Sequence, residues 1–129
     1  MFIAQSASDQ IELAPALVLF ATLFFSGLLI AWAGKKGVDG ELKRNWMVGI
    51  RTKETLASDE AWRKSHQEAG KLLVVAGLVS TFAGLAILPR PSNGVTFAIS
   101  AIAMVLTLVP ILLAAVVAQR TAKEVNAKS

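Results

Sequence analysis

The sequence predicts an all-α integral membrane protein of three transmembrane helices, the second prolonged into the cytoplasm as an amphipathic helix. Three observations carry that expectation. Of 129 residues, 54% are hydrophobic and only 17% charged, whereas a soluble domain carries about a quarter charged residues. The apolar residues fall into three runs free of charge, and Lys and Arg gather almost wholly to one side of them. The same totals exclude other classes. So apolar a chain is not a disordered tail, and its length allows a single domain rather than a multidomain enzyme. With no Cys there is no disulfide framework, thiolate zinc site or cysteine nucleophile, and the single His cannot build a histidine-rich metal site alone.

The first run, residues 15–34, reads PALVLFATLFFSGLLIAWAG and is 20 residues long. The second, 72–88, is LLVVAGLVSTFAGLAIL, 17 residues, and its helix is expected to extend backwards into the segment before it. The third, 95–118, is VTFAISAIAMVLTLVPILLAAVVA, 24 residues. At about 1.5 Å per residue, roughly 20 residues cross a hydrocarbon core of about 30 Å. The first run does not read as a cleaved signal peptide. Asp9 and Glu12 precede it without a Lys or Arg, and Lys35 and Lys36 follow it directly, whereas a signal peptide opens on a basic region.

Charge then orients the spans. Segment 35–71 holds Lys35, Lys36, Lys43, Arg44, Arg51, Lys53, Arg63, Lys64 and Lys71, and the C-terminal tail holds Arg120, Lys123 and Lys128. On the other side stands Arg90 alone. Cytoplasmic loops carry the excess of Lys and Arg. The expected order is therefore an external tail (1–14), a span (15–34), a cytoplasmic motif loop and helix (35–71), and a span (72–88). An external turn (89–94), a span (95–118) and a cytoplasmic tail (119–129) complete it. This asymmetry accounts for the basic net charge of +4. The lipid bilayer is thus the expected partner of the basic side, and nucleic acid is not.

No Asp, Glu, Lys, Arg or His lies inside a run, which argues against a proton relay or ion path within one subunit. Thr22, Ser26, Ser80, Thr81, Thr96, Ser100 and Thr107 are expected to hydrogen-bond to helix backbone. In the second run Gly70, Gly77 and Gly84 recur every seven residues. At about 100° per residue, Gly70, Leu73, Gly77, Ser80 and Gly84 fall within an arc of about 80°. This stripe of small residues is expected to seat helix one, helix three or a second copy of the chain. Pro110 predicts a kink in the third helix, with Thr107 placed to satisfy a freed carbonyl.

The one extended polar stretch separates the first two runs. Its second half reads as a helix over about 59–88, with Ser58 as N-cap and Asp59 and Glu60 favouring the helix dipole. The pairs Asp59–Arg63, Glu60–Lys64 and Lys64–Glu68 have helical spacing. Trp62 and His66 share the arc of the glycine stripe, which therefore continues beyond the membrane. The first half, Asn45 to Thr52, follows neither helical nor strand period. Trp46 and Ile50 are expected at the membrane interface, with Arg51 pairing with Glu54, Glu60 or a lipid phosphate.

Asn45-Trp46-Met47-Val48-Gly49-Ile50-Arg51-Thr52, then Thr55-Leu56, Ser58, Trp62-Arg63-Lys64-x-His66 and Gly70, resembles the signature of the SdpI-like family of bacterial membrane immunity proteins. The resemblance implies an inner-membrane protein with this loop in the cytoplasm. It also implies structural or partner-binding roles for Asn45, Trp46, Gly49, Arg51, Thr52, Trp62, His66 and Gly70. The founding member protects its cell from a secreted toxic peptide and holds a transcriptional repressor at the membrane. That member is longer, with extra membrane helices before the motif.

Two functional expectations stand. One is a small SdpI-like protein conferring immunity to a membrane-active toxin or signalling its presence, with the peptide toxin or a cytoplasmic regulator as partner. The other is an accessory or structural subunit, a homo-oligomer or part of a larger membrane assembly, to which the stripe of Gly70, Gly77, Ser80 and Gly84 would contribute. An enzyme is not expected. His66 would need a nucleophile and an orienting group within about 3 Å, and no spacing forces Asn45, Ser65 or Glu68 into those places. His66 is instead expected to tie its helix to the 45–52 segment by hydrogen bonds. No catalytic residue, metal or cofactor is expected.

Overall fold

The computed structural model describes residues 9–129 and is built from three helices. These are α1 (Leu13–Val38), α2 (Asp59–Ile87) and α3 (Asn93–Lys128). Most of the expected tail 1–14 lies outside the described residues. All three helices are long and apolar enough to cross a membrane. Their 26, 29 and 36 residues correspond to lengths of about 39, 44 and 54 Å.

Serine caps set where α2 and α3 begin. Ser58 is extended and its hydroxyl accepts a hydrogen bond from Ala61 N–H at 3.0 Å, so α2 starts as expected at Asp59. Ser92 does the same for α3 through Val95 N–H at 3.1 Å. α3 runs past the expected span 95–118, and residues 119–128 continue the helix to Lys128. The reason is a stripe of alanines at i, i+4 spacing: Ala114, Ala118 and Ala122 are all fully buried. Ala114 and Ala118 pack with Ala69 and Leu73 of α2 in one core cluster. The small-residue face that anchors α3 in its apolar part thus runs on past it.

α2 is the central element. It packs along both α1 and α3, while α1 and α3 barely meet each other. The glycine stripe seats α1. α1 brings its own glycines at the same seven-residue interval, a signal the sequence reading left unused. A Cβ on Gly77 would stand 2.5 Å from the Gly27 carbonyl oxygen, and one on Gly27 would stand 2.6 Å from that of Gly77. Gly34 and Gly70 oppose each other in the same way, at 2.7 and 2.5 Å. Each glycine therefore turns its second α-hydrogen toward a carbonyl of the opposite helix, the weak C–H···O contact found where helices pack closely. Ser80 strengthens the contact by donating to Leu23 O of α1 at 2.8 Å.

The other hydroxyls divide. Thr81 donates to Gly77 O at 2.8 Å and Ser26 to Thr22 O, as expected. Thr96 and Ser100 hydroxyls are buried without a partner. Among the described residues Thr107 makes no side-chain hydrogen bond, so it does not serve the carbonyl freed by Pro110, and α3 runs through Pro110 unbroken. The expected ion pairs within α2 do not form. Asp59 reaches across to Arg44 at 3.2 Å, and Arg63 turns to Gln67.

At the short-turn end, Gln10 and Ser92 form an isolated antiparallel bridge and Ile11 N–H donates to Pro91 O at 3.0 Å. Arg90 adopts a left-handed backbone, φ 58°, a conformation that costs a non-glycine residue about 1 kcal/mol. Its guanidinium Nε donates to Ile11 O and its carbonyl accepts from Gln10 Nε2.

The glycine contact makes a direct prediction. Gly77→Ala forces α1 away from α2 and should destabilise the protein by roughly 1–3 kcal/mol, read as a lowered thermal midpoint in detergent. Gly94→Ala, where a Cβ meets nothing within 4 Å, should not lower it. Equal midpoints for the two variants would refute the account of the contact.

Candidate functional site

The segment between α1 and α2 forms a compact loop, and Asn45 organises its first half. The Asn45 Oδ1 accepts from Met47 N–H at 2.8 Å and Val48 N–H at 2.7 Å. Its Nδ2 donates to Lys43 O at 2.9 Å and Val48 O at 3.0 Å. A side chain that satisfies four backbone groups replaces the ladder that this stretch, lacking helical or strand period, cannot make. Arg51 locks the same turn, its Nε donating to Asn45 O at 3.2 Å. The expected pairing of Arg51 with Glu54 or Glu60 does not occur. The backbone oxygen of the turn lies within reach of its guanidinium.

Thr55 organises the second half and is fully buried. Its Oγ1 donates to Ile50 O at 2.8 Å and accepts from Thr52 N–H at 2.9 Å, while Thr55 N–H donates to the Thr52 hydroxyl at 3.1 Å. Thr52 Oγ1 in turn donates to Gln119 Oε1 of α3 at 2.8 Å. Gln119 Nε2 donates to the Glu54 carboxylate, and Asn126 Nδ2 to Glu54 O at 3.1 Å. That bond from Gln119 is the first cause holding the Glu54 carboxyl below its usual range, with Lys123 and Lys53 adding to it.

The loop closes onto α2 at Trp62 and His66. The two rings lie against each other, tilted by 34° with centroids 4.0 Å apart, and both residues are almost wholly buried. Trp62 Nε1 donates to Leu42 O at 2.8 Å. Ile50 N–H donates to His66 Nε2 at 2.8 Å, the tie expected between the helix and the 45–52 segment. Since Nε2 accepts, the imidazole proton sits on Nδ1, which lies 2.8 Å from Trp62 O and donates to it. Gly49 permits this approach. Its φ is +116°, and a Cβ would stand 2.8 Å from both His66 Nε2 and the Trp62 ring. On the opposite flank Gly37 of α1 lies against the His66 backbone.

Both His66 nitrogens are therefore engaged within the protein. His66 precedes the apolar run, and burial pushes its pKa below the ordinary value, opposed in part by the bond to Trp62 O. Ser65 Oγ donates to Trp62 O at 3.0 Å and stands 3.5 Å from His66 Nδ1. Asn45 is consumed by its turn. Among the described residues no three His, Asp or Glu side chains converge as a metal cluster.

Of the motif residues expected from the sequence, Asn45, Gly49, Arg51, Thr52, Trp62 and His66 meet in one hydrogen-bonded unit. Gly70 lies one turn further along, on the contact with α1. Trp46 stands apart with 76% of its surface exposed. Thr55, quoted in the signature but given no role, also belongs to the unit, as do Gln119 and Asn126, which the sequence did not single out. Thr55 sits three residues after Thr52, the spacing of a local hydroxyl turn. Gln119 and Asn126 had no signal, because only folding brings the end of α3 beside the loop.

The model of the SdpI/YfhL protein family matches residues 41–114, more than half of the chain and the loop from Glu41 onward. No curated protein and no solved structure matches the chain.

The His66 geometry fixes a pH dependence. Above about pH 6.5 the side chain is neutral whether folded or unfolded. Below it the unfolded chain takes up a proton that the folded one resists, so stability falls as pH drops from about 6.5 toward the lowered folded value. The thermal midpoint should decline between about pH 7 and 5.5, and His66→Gln should flatten that slope. A wild-type midpoint constant over this window would contradict the burial of a neutral imidazole.

Proposed function

Because the chain belongs to the SdpI/YfhL protein family, we propose that it is a small membrane protein conferring immunity or resistance to a membrane-active toxin, or signalling its presence. The observation that carries this reading is the construction of the loop. It is held to α2 through His66 and to α3 through Gln119 and Asn126, so a disturbance of the helices reaches the loop. The protein acts by binding rather than by catalysis, which fits a histidine whose two nitrogens are both turned inward. Its partners are a peptide toxin or a cytoplasmic regulator, and it needs no cofactor.

The chain sits in the bacterial inner membrane with its N-terminus outside and its loop and C-terminus in the cytoplasm. Twelve of its thirteen Lys and Arg lie on the loop side of the spans, the bias of cytoplasmic segments. The charged first turns of α2 are an amphipathic extension standing out of the membrane, with Trp62 and His66 on the inward face and Glu60, Arg63 and Lys64 exposed. A reporter fused after Ser129 should be active only in the cytoplasm. Periplasmic activity would invert the arrangement.

A second reading, an accessory subunit or homo-oligomer, is favoured by one observation. α1 and α3 do not close on each other, and α3 leaves most of its apolar surface uncovered within the chain. Deleting the gene should sensitise cells to a panel of membrane-active peptides, and the intact gene, but not one carrying Gly49→Val, should restore survival. Unchanged survival, together with a constant partner or second copy retained in gentle detergent, would replace the first reading with the second.

A further inference from the structure

Trp46 and Met47 form the tip of the motif loop, with 76% and 70% of their surfaces exposed. Two large apolar side chains side by side are costly in water and favourable at the headgroup level of a bilayer, where Trp is enriched. They do not project by chance. Asn45 binds the backbone on both sides of the tip, so the turn is rigid and its side chains point outward.

Two cationic residues are tied to this turn through Asn45. Arg51 spends its Nε on Asn45 O, which fixes the guanidinium against the turn backbone, and its terminal nitrogens make no hydrogen bond among the described residues. The Lys43 side chain is exposed and makes no hydrogen bond or ion pair among them. The neighbouring acids are engaged elsewhere: Glu41 with Lys36, Asp59 with Arg44 and Glu54 with Gln119. Beneath Met47 lies an apolar cavity of about 260 Å³, with Leu29, Ala33, Val48, Ile50, Leu73 and Ile111 among its walls. It lies between α1 and α3, which barely meet, and therefore opens sideways. Its volume is below the roughly 300–1,000 Å³ of pockets that enclose whole small molecules, which suits a single chain.

We propose that the loop is the seat of one anionic glycerophospholipid, its phosphate gripped by Arg51 and Lys43 and one acyl chain entering the cavity beneath Met47. The chemistry is complementary in each part. A guanidinium held at one edge offers its remaining N–H groups to phosphate oxygens. A second cation without a nearby free carboxylate favours a headgroup with net negative charge over a zwitterionic one. The apolar cavity below accepts hydrocarbon. The inference rests on the reading of this chain as a membrane protein, and its test separates the two.

The full chain is reconstituted in vesicles of equal phosphatidylglycerol and phosphatidylcholine, with bromine on the acyl chains of one lipid or the other. Trp46 is isolated by comparing Trp32→Phe with Trp32→Phe/Trp46→Phe, which leaves the buried Trp62 as a monitor of the fold. Brominated phosphatidylglycerol should quench Trp46 several-fold more strongly than brominated phosphatidylcholine. Lys43→Gln/Arg51→Gln should bring the two to parity while Trp62 emission is unchanged. Equal quenching in the unsubstituted loop overturns the proposal, as does a Trp46 reached by aqueous iodide but by neither brominated lipid. Quenching of Trp32 on α1 in the parent protein reads the membrane embedding separately. Its persistence while Trp46 fails would sink the lipid seat alone.

Discussion

The close approach of α1 to α2 is the constraint on which the remaining structure depends. Two glycines of α1 meet two of α2 with no room for a Cβ on either side. Between apolar helices in lipid there is little hydrophobic gain from association, so the stabilisation comes from dispersion, C–H···O contacts and a few hydroxyl bonds. All of these weaken steeply with distance. Gly27–Gly77, Gly34–Gly70 and the Ser80–Leu23 bond therefore act together. Without them α2 would have no fixed rotation relative to α1.

That rotation decides where the loop can sit. Continuing the same face of α2 toward its N-terminus brings His66 against Gly37, and Trp62 one turn beyond. The chain leaving α1 must return to Ser58 over these two rings. It does so because Trp62 takes the Leu42 carbonyl and His66 takes the Ile50 amide. A backbone amide buried without a partner would cost about 1–3 kcal/mol, so His66 is both floor and fastener. Gly49 is the point where the loop touches that floor, and its positive φ and missing side chain are both required there.

α3 completes the arrangement from the other side. Its alanine stripe follows α2 beyond the apolar run, and the continuation places Gln119 and Asn126 against Thr52 and Glu54. Every helix thus contributes to holding one loop, although α1 and α3 barely touch. The open space between them, under the loop tip, follows from the same geometry: two helices packed on opposite flanks of a third cannot also close on each other.

Much of this was legible in the sequence because it follows from local rules. The three runs, the start of α2 at a serine cap, the small-residue face and the inward placement of Trp62 and His66 all follow from hydropathy, capping and a 100° step. The unity of the motif residues could be anticipated only through family resemblance, and the fit of Gly49 over two rings not even then. Partner choice was beyond reach. Which helix would fill the glycine stripe, where Arg51 and Asp59 would bond, and that 119–128 would stay helical depend on segments distant in the chain. One-dimensional periodicity defines a face but not what lies against it, because packing energy belongs to pairs of surfaces. The sequence by itself therefore determined three apolar helices and a polar loop between two of them. Only the tertiary structure decided that the loop is a rigid cap held by all three, because its hydrogen bonds join residues 16 to 72 positions apart.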